Sequence, residues 1–276
     1  MNHEAGTPPG SRRKQIVIVV SVFIAVIAVA AVIFMLLVQS LNQKSEQKNN
    51  VLDSVSGYTY LAAEATSGLK LHILKTKPSN VTLEVISNNV TLSGKAGVNG
   101  GFFYGTDLMS LAVVGGHPVN GAKSDYGSGW ENMKYARGTL VWDGKSDSLS
   151  VQVVRQSTEL KIKDVERFWA QGGISMSLGD DAGWQAQTLA EAAPFPDDLR
   201  LRSGAVYDDK GFLYLIVSET PGTLGSFRDG IKELLDDQGL VDGIFLDGDG
   251  SSQLLSKEAA LPGDNRPVVQ MIRIMK

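Results

Sequence analysis

The stretch SFRDGIKELLDDQGLVDGIFLDGDGSS, Ser226 to Ser252, reads as a helix, a buried strand and a polar loop in direct succession. Phe227, Ile231, Leu234 and Leu235 fall at i, i+4, i+7 and i+8, which lines up one apolar helix face. Ser226 is the expected amino-terminal cap and Gly239 the expected left-handed stop. The apolar run in LVDGIFLD then suits a strand covered on both faces. Asp247 is delivered at that strand's end, the edge where ligands usually bind in sheets of this kind.

The flanking sequence is mostly short strands and turns. LKLHILK (Leu69 to Lys75) and VTLEVIS (Val81 to Ser87) alternate apolar and polar residues with the period of a half-buried strand. GTLVWDGKSDSLSVQVV (Gly138 to Val154) reads as a hairpin turning at Asp143-Gly144, and GAVYDDKGFLYLIVS (Gly204 to Ser218) repeats the design around Asp209-Lys210-Gly211. The expected fold is α+β, a mixed, strand-rich sheet with few helices.

The loop after the strand admits several readings. Asp247, Asp249 and Ser251 occupy positions 1, 3 and 5 of an EF-hand loop, and Glu258 falls on position 12. Ser252 stands where that loop needs glycine, and Pro262 curtails an exiting helix, so the helix–loop–helix context is missing. A calcium-like cation on the oxygens of Asp247 and Asp249 stays open; no cofactor is otherwise expected. A dinucleotide loop fails because Gly248 and Gly250 are followed by Gln253 and no amphipathic helix. A plain tight turn fits the stretch taken alone.

Composition removes further options. The chain has no cysteine, which excludes disulfides, thiolate nucleophiles and cysteine-held zinc. Its histidines are His3, His72 and His117, too few and too scattered for a histidine metal site. A net charge of −4 gives no basic footprint for nucleic acid.

Ahead of the strands, Arg12-Arg13-Lys14 precedes an apolar run from Ile16 to Val38. At about 1.5 Å per helical residue it can cross a hydrocarbon core of about 30 Å. Small residues at Ala28-Val29-Ala30 offer a signal-peptide reading, but the run continues past them and favours an uncleaved anchor. The expected organisation is a cytoplasmic tail at 1–15, a transmembrane anchor at 16–38, a solvated linker at 39–50 and an extracytoplasmic domain at 51–276.

Four blocks in this order carry a resemblance. They are Asn99-Gly100-Gly101-Phe102-Phe103, Arg202-Ser203-Gly204 entering a strand, Leu246-Asp247-Gly248-Asp249-Gly250-Ser251-Ser252 after a helix, and Arg266-Pro267-Val268. Together they resemble the phosphodiester glycosidase family, whose blocks read N-G-G-F-F, R-T-A, L-D-G-G-G-S-S and an arginine-valine strand. Ser203-Gly204 departs from threonine-alanine, and Asp249 from the middle glycine. Asp249 beside Asp247 is expected to raise one of the two pKa values.

The resemblance implies hydrolysis between a sugar's anomeric carbon and a phosphodiester oxygen. Asp247 is then the catalytic carboxyl, as base or as stabiliser of oxocarbenium charge, and Arg202 clamps the phosphate. Asn99, Gly100, Gly101, Phe102, Ser203, Gly248, Asp249, Ser251 and Ser252 are expected to contact substrate, as are Gly172 and Gly173 of WAQGGISMSLGD. Asp249 or Glu219 is the expected second carboxylate. Two other readings stand beside the hydrolase: a non-catalytic module binding a polysaccharide or teichoic-acid-like polymer, and a structural partner in polysaccharide export. Trp130 and Trp184 lie in glycine-rich loops where a sugar could stack, although core or cleft wall is the simpler reading for both.

Overall fold

The computed structural model describes residues 9–276 and divides into two units, residues 1–50 and 51–276. In the first, helix α1 (Pro9–Ser54) carries the apolar segment Val17–Ser40, 24 residues long. That is long and apolar enough to cross a membrane, as anchors and signal sequences both are. The helix runs on through the polar segment 39–50. His3 lies outside the described residues.

The second unit is built from three main sheets. The largest has six strands in the order Tyr58–Glu64, Lys70–Thr76, Leu213–Ser218, Ser203–Asp208, Leu240–Phe245 and Ile174–Ser175. The second runs Ser148–Val154, Arg137–Asp143, Phe168–Gly172, Ala112–Val114 and His117–Pro118. The third runs Ala260–Leu261, Leu254–Leu255, Gly97–Asn99, Val268–Ile274 and Val81–Asn88. Both expected hairpins form, pairing Asp143 with Ser148 and Tyr207 with Leu213. Pairing between these strands is antiparallel throughout, and among the described residues parallel geometry is confined to one bridge, Leu108 to Ser128.

The central strands of the six-stranded sheet are buried on both faces, and their alternation distributes side chains to two cores. Leu213, Leu215 and Val217 enter the core shared with the other sheets, beside Leu140, Trp169 and Ile272. Tyr214 and Ile216 face the opposite way, towards Phe227 and Ile231. The strand Leu240–Phe245 splits likewise, Ile244 to the first core and Phe245 to the second. Its apolar run therefore does mark burial on both faces, as the sequence implied.

After a short helix α2 (Trp184–Ala190), the residues facing Phe245 belong to helix α3 (Leu224–Leu234), which lays Phe227, Ile231 and the following Leu235 on the sheet. The helix begins earlier than its sequence suggested. Its cap is Thr223, not Ser226: the Thr223 hydroxyl accepts from Ser226 N at 3.0 Å, and Ser226 sits inside the first turn. One further helical turn, Asp236–Gln238, intervenes before Gly239 adopts the left-handed conformation and releases the chain into the strand.

Candidate active site

Three distant segments meet where the strands Gly97–Asn99, Ser203–Asp208 and Leu240–Phe245 reach their ends. The backbone stitches them first. Leu246 N donates to Ser203 O at 2.9 Å, Asp247 N to Gly100 O at 3.2 Å, and Asp249 N to Leu201 O at 2.7 Å. The carboxamide of Asn99 then locks the join. Its Oδ1 accepts from Ser203 Oγ at 2.8 Å and Gln253 N at 3.0 Å, while Nδ2 donates to Asp247 O at 2.8 Å and Gly100 O at 3.1 Å.

Asn99 is wholly buried, so its replacement leaves polar partners with no water to turn to. Asn99→Ala is expected to cost about 2–4 kcal/mol, read from the urea midpoint, with most activity lost through displacement of Asp247. A variant as stable as the wild type would show that the join does not depend on this side chain.

Above the join lies a cavity of about 360 Å³, within the usual range for small-molecule sites. Phe102, Phe103, Tyr104 and Phe195 give it aromatic walls, and Arg200, Arg202, Arg266, Asp247 and Asp249 supply its charge. The loop Leu246–Ser252 forms one side, with Gly248 and Ser251 also on the lining.

Asp247 is half-buried and faces the cavity. Burial pushes its pKa up to about 7, against opposing help from the Ser251 side chain, the Gly248 amide and the charge of Arg266. Gly248 N donates to Asp247 Oδ1 at 3.1 Å. The neighbouring Asp249 adds only a minor upward push. The raised pKa was expected from paired carboxylates; its main cause is burial.

Arg202 is a buried cation with no carboxylate in contact. Nε donates to Gly222 O at 2.9 Å, and Nη2 to Phe195 O at 2.8 Å and Asp198 O at 2.6 Å. Burial, with Arg200 nearby, pulls its pKa down to about 10. Carbonyl dipoles orient the guanidinium without cancelling its charge, and Nη1 makes no hydrogen bond among the described residues. The other two arginines are matched. Arg266 Nε lies 2.8 and 2.9 Å from the Asp264 oxygens, and Arg200 pairs with Asp198 and Asp249.

The structure sorts the expected ligand residues into two layers. Asp247, Arg202, Phe102, Gly248, Asp249 and Ser251 line the cavity. Asn99, Gly100, Gly101, Gly172, Gly173, Ser203 and Ser252 lie behind that lining. A side chain at Gly101 would meet Gly172 O at 2.6 Å, and one at Gly173 would meet Phe245 O at 2.2 Å, so close backbone packing explains these glycines. Ser203 Oγ donates to Asn99 Oδ1, and Ser252 Oγ is buried without a hydrogen-bond partner among the described residues.

Glu219 bonds His72 Nε2 at 3.0 Å and lies off the cavity. His117 is exposed on its short strand, and neither Trp130 nor Trp184 reaches the lining. Trp184 packs with the core under α3, while Lys123 covers Trp130 at 4.7 Å.

The two departures in the family blocks sit in different local surroundings. A methyl group at Gly204 would fall 2.4 Å from Met176 Cε and 3.0 Å from Phe227, so an alanine here requires the flexible end of Met176 to shift. Asp249 adopts φ +57°, a conformation that glycine takes freely and aspartate tolerates better than most residues. Among the described residues no three His, Asp or Glu side chains gather as metal ligands. Asp249 is engaged with Arg200, and Arg266 acts on Asp247 as a positive neighbour, which opposes a cation there.

Arg200 and the rim residues Tyr104 and Phe195 were not singled out by sequence. LRLRSG does place two arginines at alternate positions entering a strand, a spacing that puts both on one side of an extended chain.

A cavity combining a half-buried carboxyl with an arginine that has no carboxylate partner among the described residues, on an antiparallel α+β frame, is the candidate active site. The family model for phosphodiester glycosidases matches residues 93–275, and the chain belongs to that family. No curated protein matches the sequence. Among solved structures, the zebrafish N-acetylglucosamine-1-phosphodiester alpha-N-acetylglucosaminidase catalytic domain, auto-inhibited by its pro-peptide, is similar in fold. It aligns at TM-score 0.57 and 15% identity over 79% of this chain and 82% of its own. A hypothetical protein from Synechocystis aligns at TM-score 0.42 and 12% identity over 78% of this chain and 61% of its own. That likeness is too remote to carry weight.

Proposed function

We propose that the protein hydrolyses a sugar 1-phosphodiester at the bond between the anomeric carbon and the bridging oxygen. The observation that supports this most directly is the pairing, in one cavity, of the Asp247 carboxyl at a pKa near 7 with the unmatched Arg202. The ionised Asp247 takes a proton from water as the water oxygen bonds to the anomeric carbon. The carbon–oxygen bond breaks, and its electron pair leaves on the phosphate. Free sugar and a phosphomonoester result.

Phosphate is a fairly good leaving group, so neutralising its charge matters more than protonating it. Arg202 Nη1 serves that role from a fixed guanidinium. No second carboxylate is required, consistent with Asp249 facing Arg200 and Glu219 lying elsewhere. Phe102, Tyr104 and Phe195 suit the sugar's apolar faces.

On this reading the segment Val17–Ser40 anchors the protein, with the basic residues before it cytoplasmic and the domain outside, acting on a glycan or envelope polymer. The test is hydrolysis of sugar 1-phosphodiesters in ¹⁸O-water. The label is expected on the sugar hydroxyl, with sugar and phosphomonoester in equal amounts. Label in the phosphate, with the other alcohol released, would mean attack at phosphorus and would refute the assignment. Binding with no turnover under any condition would favour the non-catalytic module.

A further inference from the structure

Arg200 holds an unusual post at the cavity mouth. Its guanidinium lies over the Phe195 ring, 4.0 Å from the centroid, and its Nε and Nη2 grip Asp198 Oδ2 at 3.2 and 2.9 Å. These contacts fix the plane and leave Nη1 directed at Asp249 Oδ2, 2.8 Å away. Both side chains are open to solvent, 28% for Arg200 and 53% for Asp249, and both line the cavity. Ion pairs so exposed are weak and exchange readily.

An aspartate is poorly placed here if its purpose is to help an anion bind. It adds negative charge beside three arginines, from a left-handed backbone position that suits glycine better. The asymmetry among the arginines suggests what it does. Arg202 has no carboxylate partner and offers its charge to any anion, whereas Arg200 is already occupied.

We propose that Asp249 is a built-in counter-ion that filters ligands by charge: a phosphate must displace it from Arg200, and a second negative charge on that phosphate meets its repulsion. The inference rests on the reading of the cavity as a phosphate site. A phosphodiester carries one negative charge, and the monoester released from it carries close to two above neutral pH. The filter therefore weakens retention of the product more than binding of the substrate, and it frees the site after each turnover.

The test is calorimetric titration of the full-length protein, in detergent at pH 8, with a sugar 1-phosphate as dianion and diethyl phosphate as monoanion. Asp249→Asn is expected to tighten the sugar phosphate about five- to tenfold and the diester less than about threefold. In Arg200→Gln both probes weaken, and adding Asp249→Asn to that variant restores less than half of the gain. Equal sugar-phosphate affinity in wild type and Asp249→Asn overturns the filter, and intact turnover then leaves the hydrolase standing. The charge-dependent gain without turnover supports the filter and removes the hydrolase. Failure of both probes to bind any variant overturns the filter also.

Discussion

Asp247→Asn is expected to lower turnover by about 10³-fold, in the middle of the range for losing a positioned acid–base group, while making the protein more stable above pH 7. The two effects share one cause. Burial holds the Asp247 pKa near 7 in the folded chain, well above its ordinary value of 3.8. Protonation therefore favours the folded state. Its contribution to stability is complete below about pH 4 and is lost as pH rises through about 7, where the folded carboxyl ionises. Each pKa step is about 1.4 kcal/mol, so the ionised carboxyl costs on the order of 4 kcal/mol relative to the unfolded chain. Asparagine keeps the shape and removes that cost.

The same pKa sets the pH profile of the wild type. The base is the ionised form, so kcat/KM should climb about tenfold per pH unit below 7 and level off above it. Urea midpoints and rates across pH 5.5 to 9 check both halves, with those limits chosen to bracket the pKa near 7. An asparagine variant that is less stable at pH 8.5, or a wild-type rate that falls as pH rises through 7, would place the working proton elsewhere.

The sequence disclosed the strands, α3 and the cavity's central pair for physical reasons. Period-two alternation marked Lys70–Thr76 and Val81–Asn88 because each strand presents different surroundings to its two sides. Asp247 was legible because an apolar strand ran straight into a carboxylate. The structural part of Asn99 was not legible, since a carboxamide beneath a loop and one facing a ligand have the same spelling. Its role depends on Ser203 and Gln253, each more than a hundred residues away. The glycines read two ways for a related reason: close approach to another backbone and close approach to a ligand demand the same missing side chain. Arg200 and Phe195 could be placed only once the loop before Arg202 had folded over the cavity. The cap at Thr223 was hidden because the apolar period begins at Phe227, later than the backbone turn does.

Arg202→Lys should prove nearly as damaging as loss of the carboxyl, although it preserves the charge. The guanidinium meets Gly222, Phe195 and Asp198 carbonyls through two of its nitrogens and keeps Nη1 for the cavity. Lysine carries one ammonium, which cannot satisfy separated carbonyls and a ligand together. The expected loss in kcat/KM is about 10²- to 10³-fold, the scale for removing one preorganised donor from a developing oxyanion. A cost of about 2–3 kcal/mol in stability should accompany it, from carbonyls left without their donor. Because Phe195 and Asp198 flank the aromatic rim, hydrogen exchange should quicken in residues 194–200 and stay unchanged in α3. Arg202→Ala separates charge from architecture: added guanidinium should restore part of kcat while KM stays raised. A lysine variant within threefold of wild-type kcat/KM would mean that the phosphate is held by Arg200 and Arg266 instead, leaving Arg202 as a staple for the loop.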